Sequence, residues 1–362
     1  MKKLGAPLSL LALLLTLASC SGCTFGLLSG PGSSLTILTY NVENLFDDVD
    51  NGTEYREYDP SGGNWNSELF HRKLQRVAEV LRAASPGGAD IVALQEVENE
   101  KALASLNDLY LKGMGYRAIL GTSEGSAACV ALLCRLPISR VQLHRIAADE
   151  PLRTVLEVEV DSGGTPIVLF VNHWKSKEGD GEATESLRRA SAAAVARRIA
   201  DLRTQEPQAG VLVVGDLNEQ YDEFTRNGGR YRTALMPIEA SAAAVAPAST
   251  CDGSLYLFGA LDCSQGQRTP PDEPGGRVAL YDPWAQAPGQ GSIWYAGGWE
   301  TIDHVLVGPS LLGGTGLRYD GFAVVRLPFM LDAAGCPLRF SPQTGGGYSD
   351  HLPLLLTLRQ GT

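Results

Sequence analysis

Apolar runs that stop abruptly at an acid, an amide or a histidine recur along this chain. They constrain its fold more than any other feature. Leu35 to Tyr40 ends in Asn41-Val42-Glu43-Asn44, and Ile91 to Leu94 in Gln95-Glu96. Residues 166–172 end in Asn172-His173, and Val211 to Val214 in Gly215-Asp216-Leu217-Asn218. Ile302 leads into Asp303-His304, and Gly347-Tyr348-Ser349-Asp350-His351 precedes a leucine run. A short apolar run bounded by polar residues reads as a buried strand. Val211 to Val214 has no polar residue at all, which suits a central position in a sheet. Such strands can gather their polar ends at one sheet edge.

Between these runs the spacing changes. Residues 68–83 place Leu69, Phe70, Leu74, Val77, Val80 and Leu81 at helical intervals, and Ser85-Pro86-Gly87-Gly88 stops the helix. Residues 99–112 form a second amphipathic helix, and residues 182–203, rich in Ala, Arg and Glu, a long third one. Further strands are expected at about 116–120, 128–134, 153–160, 301–307, 321–327 and 352–358. Asp161-Ser162-Gly163-Gly164 marks a hairpin. Residues 219–298 lack periodicity and read as long loops. The 362 residues suit one large α/β domain as well as two average ones, but no linker divides the chain after residue 35.

The N-terminus is read as a targeting segment. Lys2 and Lys3 precede an apolar run, Leu8 to Leu17, too short to span a bilayer. Leu17-Ala18-Ser19-Cys20 resembles the lipobox of bacterial lipoproteins. That resemblance implies a signal peptide at 1–19, a lipidated Cys20 and export to a membrane, at its periplasmic face or the cell surface. Residues 20–34, rich in Gly and Ser, then form a tether. An ordinary signal peptide, with Cys20 incidental, is the alternative. Export permits disulfides, and Cys251 with Cys263 is the best candidate pair. Cys129 and Cys134 point to opposite faces of one strand and should not pair with each other.

The net charge of −11 argues against a broadly basic nucleic-acid surface, though not against a local groove. No cysteine or histidine spacing suggests zinc. Glu96, Asp216, Asp303 and Asp350 offer hard oxygen, which suits Mg²⁺, Mn²⁺ or Ca²⁺. Each alone reads equally as a solvated acid at a strand end. His173 and His351 alone read as structural histidines. Recurrence changes this, because His173 and His351, two of only five histidines, both stand in such clusters beside an amide or an acid.

The segments LTYNVENLFD, IVALQEVEN, VLFVNHWKSK, VLVVGDLNE, TIDHVLV and YSDHLPLLL, in this order, resemble the endonuclease/exonuclease/phosphatase superfamily with its DNase I-like fold. The resemblance covers about Leu35 to Leu358, with little from 220–298. It implies a two-sheet, four-layered α/β sandwich and a divalent-metal phosphoesterase. By that resemblance Glu96, Asn41 and Asp350 border the metal. His351 contacts the scissile phosphate or activates water, with Asp303 fixing its tautomer. Asp216 orients the nucleophile and Asn218 binds a phosphate oxygen. His173 is the second histidine, able to protonate the leaving oxygen or stabilise the phosphorane. Lys175 and Lys177 meet substrate phosphates or solvent, and Arg188 or Arg189 braces the site. His304, alternating with Asp303, faces away. The chain is expected to be a monomeric, lipid-anchored nuclease acting on DNA or RNA. A sphingomyelinase-like phosphodiesterase on lipid or small substrates is the alternative, and a non-catalytic binding lipoprotein a third.

Overall fold

The computed structural model describes residues 34–122, 126–147, 152–177, 179, 181–241, 253–259, 277–314 and 316–361. The targeting segment, Cys20 and the pair Cys251 and Cys263 lie outside the described residues. The strands in chain order are β1 (Ser34–Leu45), β2 (Ile91–Val97), β3 (Arg117–Gly121), β4 (Cys129–Cys134), β5 (Ile138–His144), β6 (Val155–Asp161), β7 (Pro166–His173) and β8 (Gly210–Asp216). There follow β9 (Leu235–Pro237), β10 (Leu255–Phe258), β11 (Ala279–Tyr281), β12 (Ile293–Tyr295), β13 (Gly298–Glu300), β14 (Asp303–Val307), β15 (Leu317–Val324) and β16 (Leu354–Gln360). Three helices matter most: α1 (Ser67–Ala83), α2 (Glu100–Ser105) and α3 (Glu185–Gln205).

The strands make two large mixed sheets, ordered β15-β16-β1-β2-β4-β3 and β5-β6-β7-β8-β14-β11-β10-β9, and a small hairpin, β12-β13. Each sheet is apolar on both faces because each is covered twice. Ile37, Ala93 and Leu132 of the first sheet meet Leu169, Leu212 and Val305 of the second in a shared core. On the outer face of the first sheet, Leu38, Val92 and Leu133 pack with Leu74, Val77 and Leu81 of α1. On the outer face of the second, Val168, Phe170 and Val213 pack with Val195, Ile199 and Leu202 of α3. The result is a helix–sheet–sheet–helix sandwich. No helix among the described residues is long and apolar enough to cross a membrane.

Local chemistry sets the helix starts. Asn66 accepts from the Leu69 N–H and Asn99 from the Ala102 N–H, each an N-cap bond. The expected 99–112 helix is α2 continued as a π-helical turn over Leu106–Tyr110. Residues 219–298 depart from the loop expectation. They hold β9, β10 and β11, which extend the second sheet beyond β14. These strands have three or four residues each, too few for any period to emerge. β5 lies outside the expected strands: it is an edge strand whose Val141 and Leu143 face solvent, 47% and 40% exposed.

α3 is fastened to the second sheet by a buried acid. Glu157 of β6 takes Arg198 in a two-point pair at 2.8 and 2.9 Å, and His144 at 2.6 Å. Burial alone would raise its pKa, but these bonds outweigh it and hold the carboxyl at about 2. A depressed acid contributes stability above its ordinary pKa and loses it as pH falls through the folded value. Glu157→Gln should therefore cost about 2–3 kcal/mol at neutral pH, with the gap to wild type closing in acid. Denaturant melts at neutral pH and near pH 3 check this. A gap independent of pH would exclude it.

Candidate active site

The registers bring the polar strand ends together. β7 and β8 pair in parallel with His173 beside Asp216, and β14 pairs antiparallel to β8 with Asp303 on the other side of Asp216. His173, Asp216 and Asp303 thus form one row across the edge of the second sheet. The row depends on Gly215, where φ is +127° and an added Cβ would lie 2.0 Å from the Asn172 carbonyl oxygen. Only glycine permits that approach.

The first sheet supplies the facing wall. The pairing of β2 with β4 slips between Gln95 and Val97, leaving Glu96 at a bulge with φ of +64°. A bulge re-aims a side chain at a sheet edge. Glu43, Asn44 and Asn218 also have positive φ, between 51° and 59°. Left-handed backbone costs about 1 kcal/mol or more at a glutamate, and such strain gathers at functional sites.

One amide bridges the two walls. Asn41 Nδ2 donates to Glu96 Oε1 and to Asp216 Oδ2, each at 3.0 Å. His173 Nε2 stands 3.8 Å from Glu96 and 3.7 Å from Asp216. His351 Nδ1 meets Asp303 Oδ2 at 2.7 Å. One ligand atom from each of Glu96, His173 and Asp216 lies within 4.8 Å of the others, and the same holds for Asp216, Asp303 and His351. Asp216 belongs to both groups. They open into a cleft of about 780 Å³, also lined by Tyr55, Arg153, Lys175 and Tyr295.

The electrostatics divide the two histidines. Burial, with the nearby charges of Arg153 and His351, holds the His173 imidazole well below its ordinary pKa. Burial would do the same to His351, but the Asp303 charge and hydrogen bond win and raise it well above. The site thus pushes the two rings in opposite directions, His173 towards the neutral imidazole and His351 towards the imidazolium. A neutral His173 suits a metal ligand better than a proton donor. Asp216 is raised to about 7 by burial and by the Asp303 charge. A divalent cation fits this donor set: it would relieve two crowded carboxylates, Glu96 and Asp216, and use the neutral Nε2 of His173.

Other expected residues are placed differently. The Asn41 oxygen accepts from the Glu43 N–H at 3.0 Å, so this amide faces the acids as a donor, not a metal as an oxygen ligand. Asp350 lies outside both groups. Its carboxylate stands 3.8 Å from His351 Nε2 and 3.9 Å from Arg339. Asn218 holds the site together: its N–H reaches Asp216 Oδ1 at 2.9 Å and its Nδ2 the Trp174 carbonyl at 3.1 Å. Lys175 lines the cleft, while Lys177 is paired with Glu223. Arg188 is buried between Glu185 and Glu219, at 2.7 and 3.2 Å. His304 is wholly buried, bonded to Asp282 at 3.2 Å and the Glu219 carbonyl at 2.8 Å.

Two residues were not picked out from the sequence. Glu43 accepts from the Phe340 and Asp350 N–H groups, at 3.1 and 3.0 Å, and so pins the loop that carries His351. Its place two residues after Asn41 was the available signal. Arg153 stands in the cleft beside His173, and nothing in its sequence context marks it.

The sequence matches a family described as Endonuclease/Exonuclease/phosphatase over residues 36–228. No curated protein matches the chain. Among solved structures, truncated Caenorhabditis elegans TDP2 is similar at 15% identity and a TM-score of 0.51, covering 90% of this chain and 97% of that one. D. rerio TDP2, complexed with single strand DNA product, has 15% identity and a TM-score of 0.52, covering 91% and 100%. An endonuclease/exonuclease/phosphatase from Beutenbergia cavernae has 16% identity and a TM-score of 0.51, covering 91% and 72%. At such identities the likeness concerns the fold, a DNase I-like α/β sandwich. The chain belongs to the endonuclease/exonuclease/phosphatase family.

Proposed function

We propose that this protein is a divalent-metal-dependent phosphodiester hydrolase acting on nucleic acid, exported and anchored by lipid at Cys20. One observation carries the hydrolase reading: two groups of ionisable side chains that share Asp216 open into one cleft. The D. rerio TDP2 structure, complexed with single strand DNA product, supports nucleic acid as the substrate class. The anchor rests on Lys2, Lys3 and Leu17-Ala18-Ser19-Cys20 alone.

In this reading Glu96, His173 and Asp216 hold the cation. When bound, it offsets phosphodiester charge and polarises the phosphoryl oxygen. The remaining chemistry belongs to the chain. Asp303 fixes His351 as an imidazolium with Nε2 free of that bond, so Nε2–H can donate to a phosphoryl oxygen as negative charge grows there. Asp216, shared by both groups, can orient a water and accept its proton. Asn218 and Asn41 hold the two Asp216 oxygens in place. Arg153 and Lys175 offer cationic contacts to flanking phosphates.

A lipid phosphodiesterase is the second reading, favoured by Trp294 and Tyr295 at the β12-β13 hairpin, 42% and 66% exposed. Purified protein should be tested with Mg²⁺ or Mn²⁺ against single-stranded DNA, RNA, plasmid and sphingomyelin vesicles. We expect nucleic acid to be cut with the highest kcat/KM. Hydrolysis of sphingomyelin alone would replace the first reading with the second.

A further inference from the structure

The β12-β13 hairpin is tied to the catalytic edge by its backbone. Ile293 forms an antiparallel bridge with His351, and the Leu352 N–H donates to the Ser292 carbonyl at 2.6 Å. Alternation along β12 then sorts its side chains. Trp294 stands opposite Trp299, the two rings meeting edge to face at 5.3 Å, and the Arg326 guanidinium lies 4.2 Å over Trp299. Ile293 and Tyr295 face the other way, into the cleft. The residue opposite Tyr295 is Gly298, which has no side chain to lay over the ring, and Tyr295 is 66% exposed.

A second tyrosine stands in the same cleft. Tyr55 is 42% exposed and backed by Phe46, with ring centroids 5.3 Å apart. Single exposed aromatics are ordinary. Two that line one cleft together with Glu96, His351, Arg153 and Lys175 combine ring faces with cationic and phosphate-directed groups. Tyr295 lies two residues from the His351 bridge, about 7 Å along the strand, a span of one to two nucleotides.

We propose that Tyr295 and Tyr55 are base-stacking residues that select single-stranded nucleic acid by its exposed nucleobases. This rests on the phosphodiesterase reading above. A duplex hides its ring faces in its own stack, whereas an unpaired strand offers them. Stacking also needs few phosphate contacts, which suits a chain of net charge −11 better than a surface-wide grip on backbone would.

The test compares oligothymidylate with an abasic oligomer of the same length, in which tetrahydrofuran replaces each nucleoside sugar and base. The full chain is assayed as wild type, Tyr295→Ala, Tyr55→Ala and Tyr295→Phe, each with a thermal melt. Wild type should favour oligothymidylate in kcat/KM by about tenfold or more. Each alanine variant should bring that ratio towards one, and Tyr295→Phe should keep it. A ratio unchanged in both alanine variants overturns the proposal, as does equal cleavage of both oligomers by wild type. Loss of binding to phosphatidylcholine vesicles in Tyr295→Ala, with the ratio intact, would instead assign the hairpin tip to a membrane surface. If wild type cuts neither oligomer but hydrolyses sphingomyelin, the nucleic-acid reading falls and the stacking proposal falls with it.

Discussion

His351→Ala should lower kcat/KM by about a thousandfold, Asp303→Asn by most of that factor, and the double variant by little more than His351→Ala alone. The reason is the 2.7 Å bond between His351 Nδ1 and Asp303 Oδ2. It orients the ring and favours its charged form against the effect of burial. Without the carboxylate, burial lowers the His351 pKa and the ring no longer presents a proton to phosphate. Two residues that act as one unit do not give multiplicative defects. A double variant slower by the product of the two single defects would show independent action. Thermal melts separate the alternative, in which the pair only packs. In that case both single variants would lose stability and keep their activity per folded molecule. NMR titration of His351 in Asp303→Asn should show the imidazole pKa moved down.

Asp216→Asn should cost a similar factor in kcat/KM yet stabilise the fold in cation-free buffer. Asp216 is central to the site because both ionisable groups use it. It is also expensive there: burial and the Asp303 charge raise its pKa to about 7. An acid whose folded pKa is raised destabilises the native state once ionised, so stability is lost as pH rises from its ordinary value through 7. Removing the charge should therefore add a few kcal/mol at pH 8, up to ~4 kcal/mol, and almost nothing near pH 4. Asparagine keeps the size but only one acceptor oxygen, so one of the Asn218 and Asn41 contacts is lost and offsets part of the gain. Melts in EDTA at both pH values, run beside kinetics with Mg²⁺, check the two halves together. A variant both less stable at pH 8 and inactive would make Asp216 a structural acid. Sites that bind cations or substrates commonly hold such unfavourable charges at the expense of stability.

The fold was legible where burial writes directly into sequence. Val211 to Val214 suits a central position, and β8 is flanked by β7 and β14. Asn172-His173, Asp216 and Asp303 were legible as strand ends, and sheet register then aligned them in one row. What sequence could not show depends on geometry that leaves no period. β9, β10 and β11 are too short for alternation to register, and their place in the sheet is fixed by long-range pairing. Glu43 looks like any polar residue after a strand. It gains its position from a left-handed backbone and from loop N–H groups about three hundred residues away. The resemblance puts Asp350 beside the metal; its carboxylate stands 3.8 Å from His351 Nε2 and 3.9 Å from Arg339, outside both ligand groups.

The central claim is that Glu96, His173 and Asp216 hold a divalent cation without which the phosphodiester is not cleaved. The most direct measurement is a cation titration of single-strand cleavage on protein stripped with EDTA, for wild type and Glu96→Gln. Stripped wild type should be inactive, and Mg²⁺ or Mn²⁺ should restore it. Glu96→Gln should need at least about tenfold more cation for half-maximal rate, since it loses a charged ligand at an otherwise intact site. Full activity of the stripped protein, or a Glu96→Gln titration that overlays that of wild type, would contradict the account.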